Sequence, residues 1–289
     1  MGQIGFIGTG MMGSPMACNL IKAGFEVLVY DARLEATKDC LALGARFAGV
    51  VSEMACCDVI FIIVNSGPQV EDVLMGEHGL VKGMKKGQKL TAVIMSTVSP
   101  TLVKKLAIIT QPMGLTLVDA PVSGGAILAQ RGMLSFMIGG EEAVVDSLRP
   151  YFQSMGNNVF HVGSLGTGLA VKLVNNIVGI TNGYVFTEAL KIANAYGLDL
   201  KKAVEVINAS SGKNWGSEKW SAFVDLVSVV RNDASFKSTC IKDIQVAINW
   251  GGELHLDCPK LKAVLSIAEV GMDVSDELHR KMLSSANKL

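Results

Sequence analysis

The chain has no excess of charge of either sign: 26 Lys and Arg balance 26 Asp and Glu in 289 residues. A basic footprint for nucleic acid and a polybasic block for a membrane surface are therefore both lacking, and a small molecule is the expected partner. Charged residues are also scarce, at 18% against 49% hydrophobic, which excludes disorder and supports large buried cores in a chain long enough for two domains. Long hydrophobic runs are missing as well. Mean hydropathy is +0.39, yet stretches such as Val59 to Val64 fall far short of the roughly 18 residues that span a bilayer, so no membrane partner and a soluble chain are expected. The six cysteines (Cys18, Cys40, Cys56, Cys57, Cys240, Cys258) lack metal-type pairing, and the four histidines (His78, His161, His255, His279) lack ligand spacing. Reduced core thiols, structural histidines and no metal follow. Met1 runs almost directly into a strand, so no signal or transit peptide is expected and the location is read as cytoplasmic. No repeat and no low-complexity linker interrupts the chain.

What is present begins with an apolar run, Gln3 to Ile7, followed by Gly8-Thr9-Gly10-Met11-Met12-Gly13 and a helical pattern from Ser14 to Lys22 that stops at Gly24. Strand, glycine turn and helix come in the order of the dinucleotide fingerprint. Gly8 would permit the tight turn, Gly10 the approach of backbone to pyrophosphate, and Gly13 close packing of helix on strand, with the helix N-terminus facing the phosphates. All six residues of the turn are candidate cofactor contacts. A second strand, Phe25 to Tyr30, ends in Asp31, where an acidic side chain would bind a ribose diol. The alternative is a glycine turn that only packs. A carboxylate at Asp31 favours NAD over NADP, while Arg33 leaves NADP open.

Leu34 to Leu43 reads as a helix, Ala45 to Ala48 as a short strand and Val59 to Val64 as a central buried strand, which predicts a parallel sheet with crossover helices. Helix Gln69 to Met75 and strand Thr91 to Met95 follow. Val64, Asn65, Ser96 and Thr97 fall just after strand ends, where cofactors bind in open α/β sheets; Ser96, Thr97 and Ser99 suit equally a cap for the helix that Pro100 begins. Strand Thr116 to Ala120 runs into Pro121-Val-Ser123-Gly124-Gly125, which could offer a hydroxyl and bare backbone N–H groups to a carboxylate or be a simple turn. Strands Leu134 to Ile138 and Val159 to Phe160 flank a helix from Glu141 to Met155 and complete a first domain, residues 1–163.

Gly166 to Tyr196 reads as one long helix with apolar residues on every side (Leu169, Val171, Leu173, Val174, Ile177, Val178, Ile180), hence a helix covered all round. Lys172, Asn175 and Asn176 share a face of it, an ammonium beside two carboxamides. Such a lysine, its pKa depressed by apolar surroundings, could exchange protons; the alternative is a lysine reaching a surface Glu, with the asparagines capping a break near Gly179. Beyond it only helical patterns occur: Leu200 to Ala209, Ser217 to Leu226, Lys237 to Asn249, Pro259 to Val270 and Ser275 to Ser285. The expected fold class is thus α/β: a Rossmann-type domain followed by an all-α domain, residues 164–289, joined by the long helix. That helix is also an expected subunit contact in a homodimer or homotetramer.

Four separated patterns agree: Gly8-Thr-Gly10-Met-Met-Gly13, Asp119-Ala-Pro-Val-Ser123-Gly124-Gly125, Gly166-x-Gly168-x-x-x-Lys172-x-x-Asn175-Asn176 and Phe236…Lys242-Asp243. Together, and over essentially the whole chain, they resemble the β-hydroxyacid dehydrogenase family. The resemblance implies NAD(P)-linked hydride transfer on a small 3-hydroxy acid or its semialdehyde, such as 3-hydroxyisobutyrate, or a glyoxylate or succinic semialdehyde-type reduction. It implies Lys172 as the catalytic lysine, Ser123, Gly124 and Gly125 as the cradle of the substrate carboxylate, and Asn176 as the residue orienting substrate and lysine, with Asn175 beside it. It further implies Lys242 and Thr97 as cofactor contacts, and a structural Asp243. The segment through Arg231 lacks prolines associated with many members, a departure in the second-domain contacts to substrate. Trp215 and Trp220 either line the pocket or pack. Imine reductases share the architecture but usually lack the lysine; 6-phosphogluconate dehydrogenases carry a larger second domain; a non-catalytic relative would tolerate loss of Lys172.

Overall fold

The computed structural model describes residues 2–231 and 234–286. Contacts divide the chain into two compact units, Met1–Lys172 and Leu173–Leu289.

The first unit holds strands β1 (Ile4–Ile7), β2 (Val27–Tyr30), β3 (Arg46–Phe47), β4 (Val59–Ile62), β5 (Leu90–Ile94), β6 (Leu115–Asp119), β7 (Val122–Ser123), β8 (Leu134–Gly139) and β9 (Gly156–Gly163). They form one sheet in the order β3-β2-β1-β4-β5-β6-β8-β7, with β9 on β8. Helices α1 (Gly13–Lys22), α2 (Lys38–Ala42), α3 (Gly67–Met75), α4 (Leu80–Gly83), α5 (Pro100–Thr110), α6 (Gly125–Gln130) and α7 (Glu142–Met155) connect them. The strand order places a crossover reversal between β1 and β4, the position at which doubly wound sheets open a crevice for a ligand.

Strands β1 to β6 pair with one another in parallel, and β1, β2, β4, β5 and β6 send side chains into cores on both faces, while the two-residue edge strand β3 is exposed. Phe6, Val29, Phe61 and Val93 join Met16 and Leu20 of α1 and Phe152 of α7 in one core. Ile7, Ile60, Ile62 and Ile94 join Val70 and Leu74 of α3 and Val103 and Leu106 of α5 in the other. Consecutive strand side chains alternate between these cores, which is why the strands read as unbroken apolar runs.

The parallel sheet with crossover helices is as expected, and its far end adds antiparallel pairings. Strand β8 runs antiparallel to β6, at Asp119 and Gly139, and to β7. The link from Ser123 to Leu134 contains only the six-residue α6, short of a parallel crossover, so the chain folds back instead. The fourteen-residue α7 then allows β9 to lie parallel to β8.

Two element boundaries also differ. The helix expected over Leu34 to Leu43 divides into a 3₁₀ turn, Leu34–Thr37, and the short α2; the buried Thr37 hydroxyl donates back to Leu34 C=O at 2.7 Å and tightens that turn. Strand β4 ends at Ile62, because the Val64 N–H turns out of the ladder to the Ser96 hydroxyl at 2.7 Å.

Helix α8 (Thr167–Tyr196) begins in the first unit and continues through the second, followed by α9 (Leu200–Asn208), α10 (Trp215–Glu218), α11 (Trp220–Val230), α12 (Ala234–Glu253), α13 (Pro259–Val270) and α14 (Asp276–Ala286). No break occurs at Gly179. The helix expected from Ser217 to Leu226 is split at Lys219, because a reciprocal capping box between Asn214 and Ser217 starts a short helix of its own. In this unit Phe186 and Leu190 of α8 pack with Trp220 and Phe223 of α11 and Leu278 and Met282 of α14. The expectation that α8 is covered on all sides is corrected: in the single chain Val174 and Val178 are each 55% exposed, and Val171, Val185 and Ile192 are open as well. Among the described residues no helix is long and apolar enough to cross a membrane.

Candidate active site

The three glycines of the first turn do different work. A Cβ at Gly8, whose φ is +90°, would lie 2.1 Å from Ile63 C=O, and one at Gly13 would lie 1.8 Å from Gly8 C=O. Both glycines are therefore required by the closure of β1 onto α1. Gly10 is not: a Cβ there would meet only the Arg33 guanidinium, at 3.7 Å. The Thr9 N–H donates to Asp31 Oδ2 at 2.8 Å, while Thr9 Oγ1, in a residue 1% exposed, has no hydrogen-bond partner among the described residues. Met11 is exposed, and Met12 precedes α1 without capping it by a side chain.

Asp31 also accepts the Arg33 N–H at 2.9 Å, with the Arg33 side chain 3.7 Å away. It thus braces the turn, yet two amides leave acceptor positions open on a carboxylate. At the neighbouring strand ends, Asn65 N–H donates to Gln69 at 2.9 Å and Ser96 holds Val64. Ser99, not Ser96, caps α5 through Thr101 N–H at 3.2 Å; Thr97 lies between them, half-buried. Ser123 ends β7 half-buried, and Gly124 and Gly125 beyond it are exposed. A Cβ at Gly125 would meet no described atom within 4 Å.

Asp119, to which sequence reasoning gave no role, closes β6. It is 0% exposed, with Oδ1 accepting the Gly166 N–H at 2.6 Å and Oδ2 the Leu169 N–H at 2.7 Å. Gly168 must lack a side chain here, since its Cβ would lie 2.1 Å from Met137 C=O. The Gly166-x-Gly168 pattern is therefore an anchoring turn for α8. Burial pushes the Asp119 carboxyl from its ordinary 3.8 up to about 6, outweighing the lowering by the Gly166 and Leu169 amides. Signals for this role were present in the sequence: an aspartate ending an apolar strand, and a helix start without a capping side chain of its own. Lys172, one turn further along α8, is 8% exposed.

In the second unit Asn176 Nδ2 donates to Asp243 Oδ2 at 2.6 Å, Asn175 Nδ2 to Asn176 Oδ1 at 3.4 Å, and Lys242 Nζ lies 2.8 Å from Asp243 Oδ1. The buried Asp243 thereby orients two residues singled out by sequence, Asn176 and Lys242. Asn175 is exposed and joins the group through Asn176. Trp220 is buried against Phe186 and Phe223 with its indole N–H on Ser285 at 3.1 Å, so it packs. Trp215 is half-exposed, edge-on to Phe223.

Residues 3–163 match the NAD binding domain of 6-phosphogluconate dehydrogenase, and residues 166–281 the NAD-binding segment of NADP-dependent 3-hydroxyisobutyrate dehydrogenase. The chain is 42% identical over 200 residues to 2-hydroxy-3-oxopropionate reductase of Escherichia coli, covering 68% of this chain and 67% of that one. It is 34% identical over 274 residues to 2-(hydroxymethyl)glutarate dehydrogenase of Eubacterium barkeri, covering 93% and 89%. The chain belongs to the β-hydroxyacid dehydrogenase family. A structure of 3-hydroxyisobutyrate dehydrogenase from Mycobacterium tuberculosis with L-serine shares the fold, at TM-score 0.80 and 23% identity over 98% of this chain and 99% of that one.

As a β-hydroxyacid dehydrogenase the chain is an NAD(P)-dependent oxidoreductase, and its own residues fit that cofactor. Gly10 keeps clear a volume that this chain's packing does not need, Thr9 Oγ1 is an unspent buried hydroxyl beside it, and α1 opens without an acidic residue in its first turn. Gly10→Ala should leave unfolding of the free enzyme within about 0.5 kcal/mol of the parent and weaken NAD binding at least about tenfold, whereas Gly13→Ala should destabilise the fold itself. Urea unfolding and cofactor titration of both variants separate the two.

The Asp119 shift carries a second prediction. A carboxyl whose folded pKa is about 6 against 3.8 unfolded binds its proton more tightly in the native state. Its contribution to stability is greatest below about pH 4, falls as pH rises to about 6 and is level above, a change on the order of 3 kcal/mol. Asp119→Asn removes that slope, so the difference in unfolding free energy between parent and variant should vary across pH 4 to 6. A constant difference would contradict the shift.

Proposed function

We propose that this β-hydroxyacid dehydrogenase interconverts a small 3-hydroxy acid, of the 3-hydroxyisobutyrate type, and its semialdehyde, with Lys172 as general acid/base. In this reading residues 1–163 hold NAD through Gly8, Thr9, Gly10, Met11, Met12, Gly13, Asp31, Val64, Asn65 and Thr97, and residues 164–289 supply Asn175, Asn176 and Lys242. When bound, the nicotinamide accepts or returns a hydride at the carbon bearing the hydroxyl. Lys172 takes the hydroxyl proton in oxidation and gives it back in reduction. Ser123, with the N–H groups of Gly124 and Gly125, holds the substrate carboxylate and so fixes the spacing between acid group and reacting carbon. Asn176, held by Asp243, orients the reacting hydroxyl, and Lys242 contacts the cofactor.

The observation that carries this reading is a buried lysine on a helix whose first turn is anchored to the strand leading into Ser123. The Asp31 carboxylate after β2, although Arg33 lies 3.7 Å from it, supports NAD over NADP. The exposed Val174, Val178 and Val185 of α8 support a homodimer or homotetramer, a mass that light scattering reads directly, and the cytoplasm is its proposed location.

An NAD- and NADP-linked activity screen over 3-hydroxyisobutyrate, D-glycerate, L-threonate, 4-hydroxybutyrate and their oxidised partners should find turnover with at least one 3-hydroxy acid and a preference for NAD. Lys172→Ala should then lower that turnover by at least about a hundredfold with cofactor affinity nearly intact. Near-normal turnover in the variant would end the general acid/base assignment.

A further inference from the structure

We propose that Asp119 is a positioning residue for the Lys172 amine: its carboxylate sets the place of α8 on the sheet and thereby the place from which the amine meets substrate. The proposal rests on the reading of Lys172 as general acid/base. Four observations within the first unit carry it.

Asp119 spans a long sequence interval, 47 residues to Gly166 and 50 to Leu169, and both of its oxygens are used. Lys172 follows Leu169 by three residues, so amide and amine root lie on neighbouring turns of one helix face. Ser123 follows Asp119 by four residues, and β6 and β7 both pair with β8. One side chain therefore joins the segment that leads to the acid-binding cradle to the helix that carries the proton-transfer group. Finally, the surroundings are cut to the carboxylate. A Cβ at Gly139 would lie 2.4 Å from its Oδ1 and one at Gly168 2.9 Å from its Oδ2.

A structural cap alone does not need this group. Ser, Thr and Asn satisfy helix N-termini with a single acceptor and no buried charge, whereas Asp119 presents two acceptors to two amides 2.6 and 2.7 Å away and fixes the helix in rotation as well as along its axis. Asn at the same place keeps shape but turns an NH₂ toward one of those amides, leaving that N–H unpaired. The first turn should then be held at one point and free to rotate.

The test is a double-mutant cycle with 3-hydroxyisobutyrate, or whichever substrate of the screen turns over fastest. Asp119→Asn and Asp119→Ser are each made in the parent and in Lys172→Ala. In the parent, kcat should fall at least about tenfold, with KM for NAD changed less than about twofold; in Lys172→Ala the same substitutions should change residual turnover little, because the group they position is gone. Equal fractional losses in both backgrounds would show that Asp119 acts independently of the lysine and overturn the proposal. Unchanged kcat in the parent would do the same. So would failure of both variants to fold, which makes the carboxylate a requirement of the fold alone; if one folds, it carries the cycle. Near-normal turnover of Lys172→Ala by itself sinks the acid/base reading and this proposal with it, in an arm where Asp119 is untouched.

Discussion

A carboxylate enclosed by protein and shared between two backbone amides ties strand β6 to the start of the long helix α8. The Asp119 charge is retained although burial raises its pKa to about 6, so the native state carries it against an electrostatic penalty. Two short hydrogen bonds to the positive end of α8 offset part of that penalty. The rest of the architecture depends on where α8 begins. Its first turn packs Leu169 into the core beneath the sheet, its second carries Lys172, and its later turns supply Phe186 and Leu190 to the core of the helical unit.

The cofactor turn illustrates a different division of labour. Gly8 and Gly13 would be glycine in a protein that bound nothing, because strand and helix cannot close on each other otherwise. A glycine pattern therefore says less than its regularity suggests. What distinguishes this turn from a packing device is the third glycine, Gly10, whose missing side chain leaves room the chain does not use, together with the spare hydroxyl of Thr9. Asp31 shapes the turn through the amides it accepts from Thr9 and Arg33, and two amides do not exhaust the acceptor positions of a carboxylate.

Most strands and helices were legible because they are apolar runs of strand length or helical patterns closed by glycine, as at Gly24 and Gly44. The misread places share a cause: a side-chain hydrogen bond outcompeted the period. Thr37 tightened a 3₁₀ turn, Asn214 and Ser217 opened a separate helix, and Ser96 drew Val64 out of β4. The reversal of β8 was hidden for another reason, since strand direction is decided by connection length and not by pattern. Asp119 and Asp243 were visible as residues but not as partners, because their contacts lie 47 to 67 residues away. Apolar residues on all sides of α8 read as all-round cover, although hydrophobicity alone does not say whether the cover comes from the same chain.

Asp119 and Asp243 also bear on the same question from two sides. Lys172 has four rotatable side-chain bonds, so the place of the root from which it swings bears on where its amine lies. On α8 that root follows Leu169 by three residues and precedes Asn176 by four. At about 100° per residue, both fall within roughly 60° of the direction in which Lys172 leaves the helix. Leu169 is held through its backbone by Asp119, and Asn176 through its side chain by Asp243, each within its own unit. A slip of the start of α8 by one residue would swing Lys172 through about 100° and would have to break the hold of Asp119 on Leu169. In the first unit the register of α8 is thus set by the buried Asp119, and in the second Asp243 holds the next turns of the same helix through Asn176.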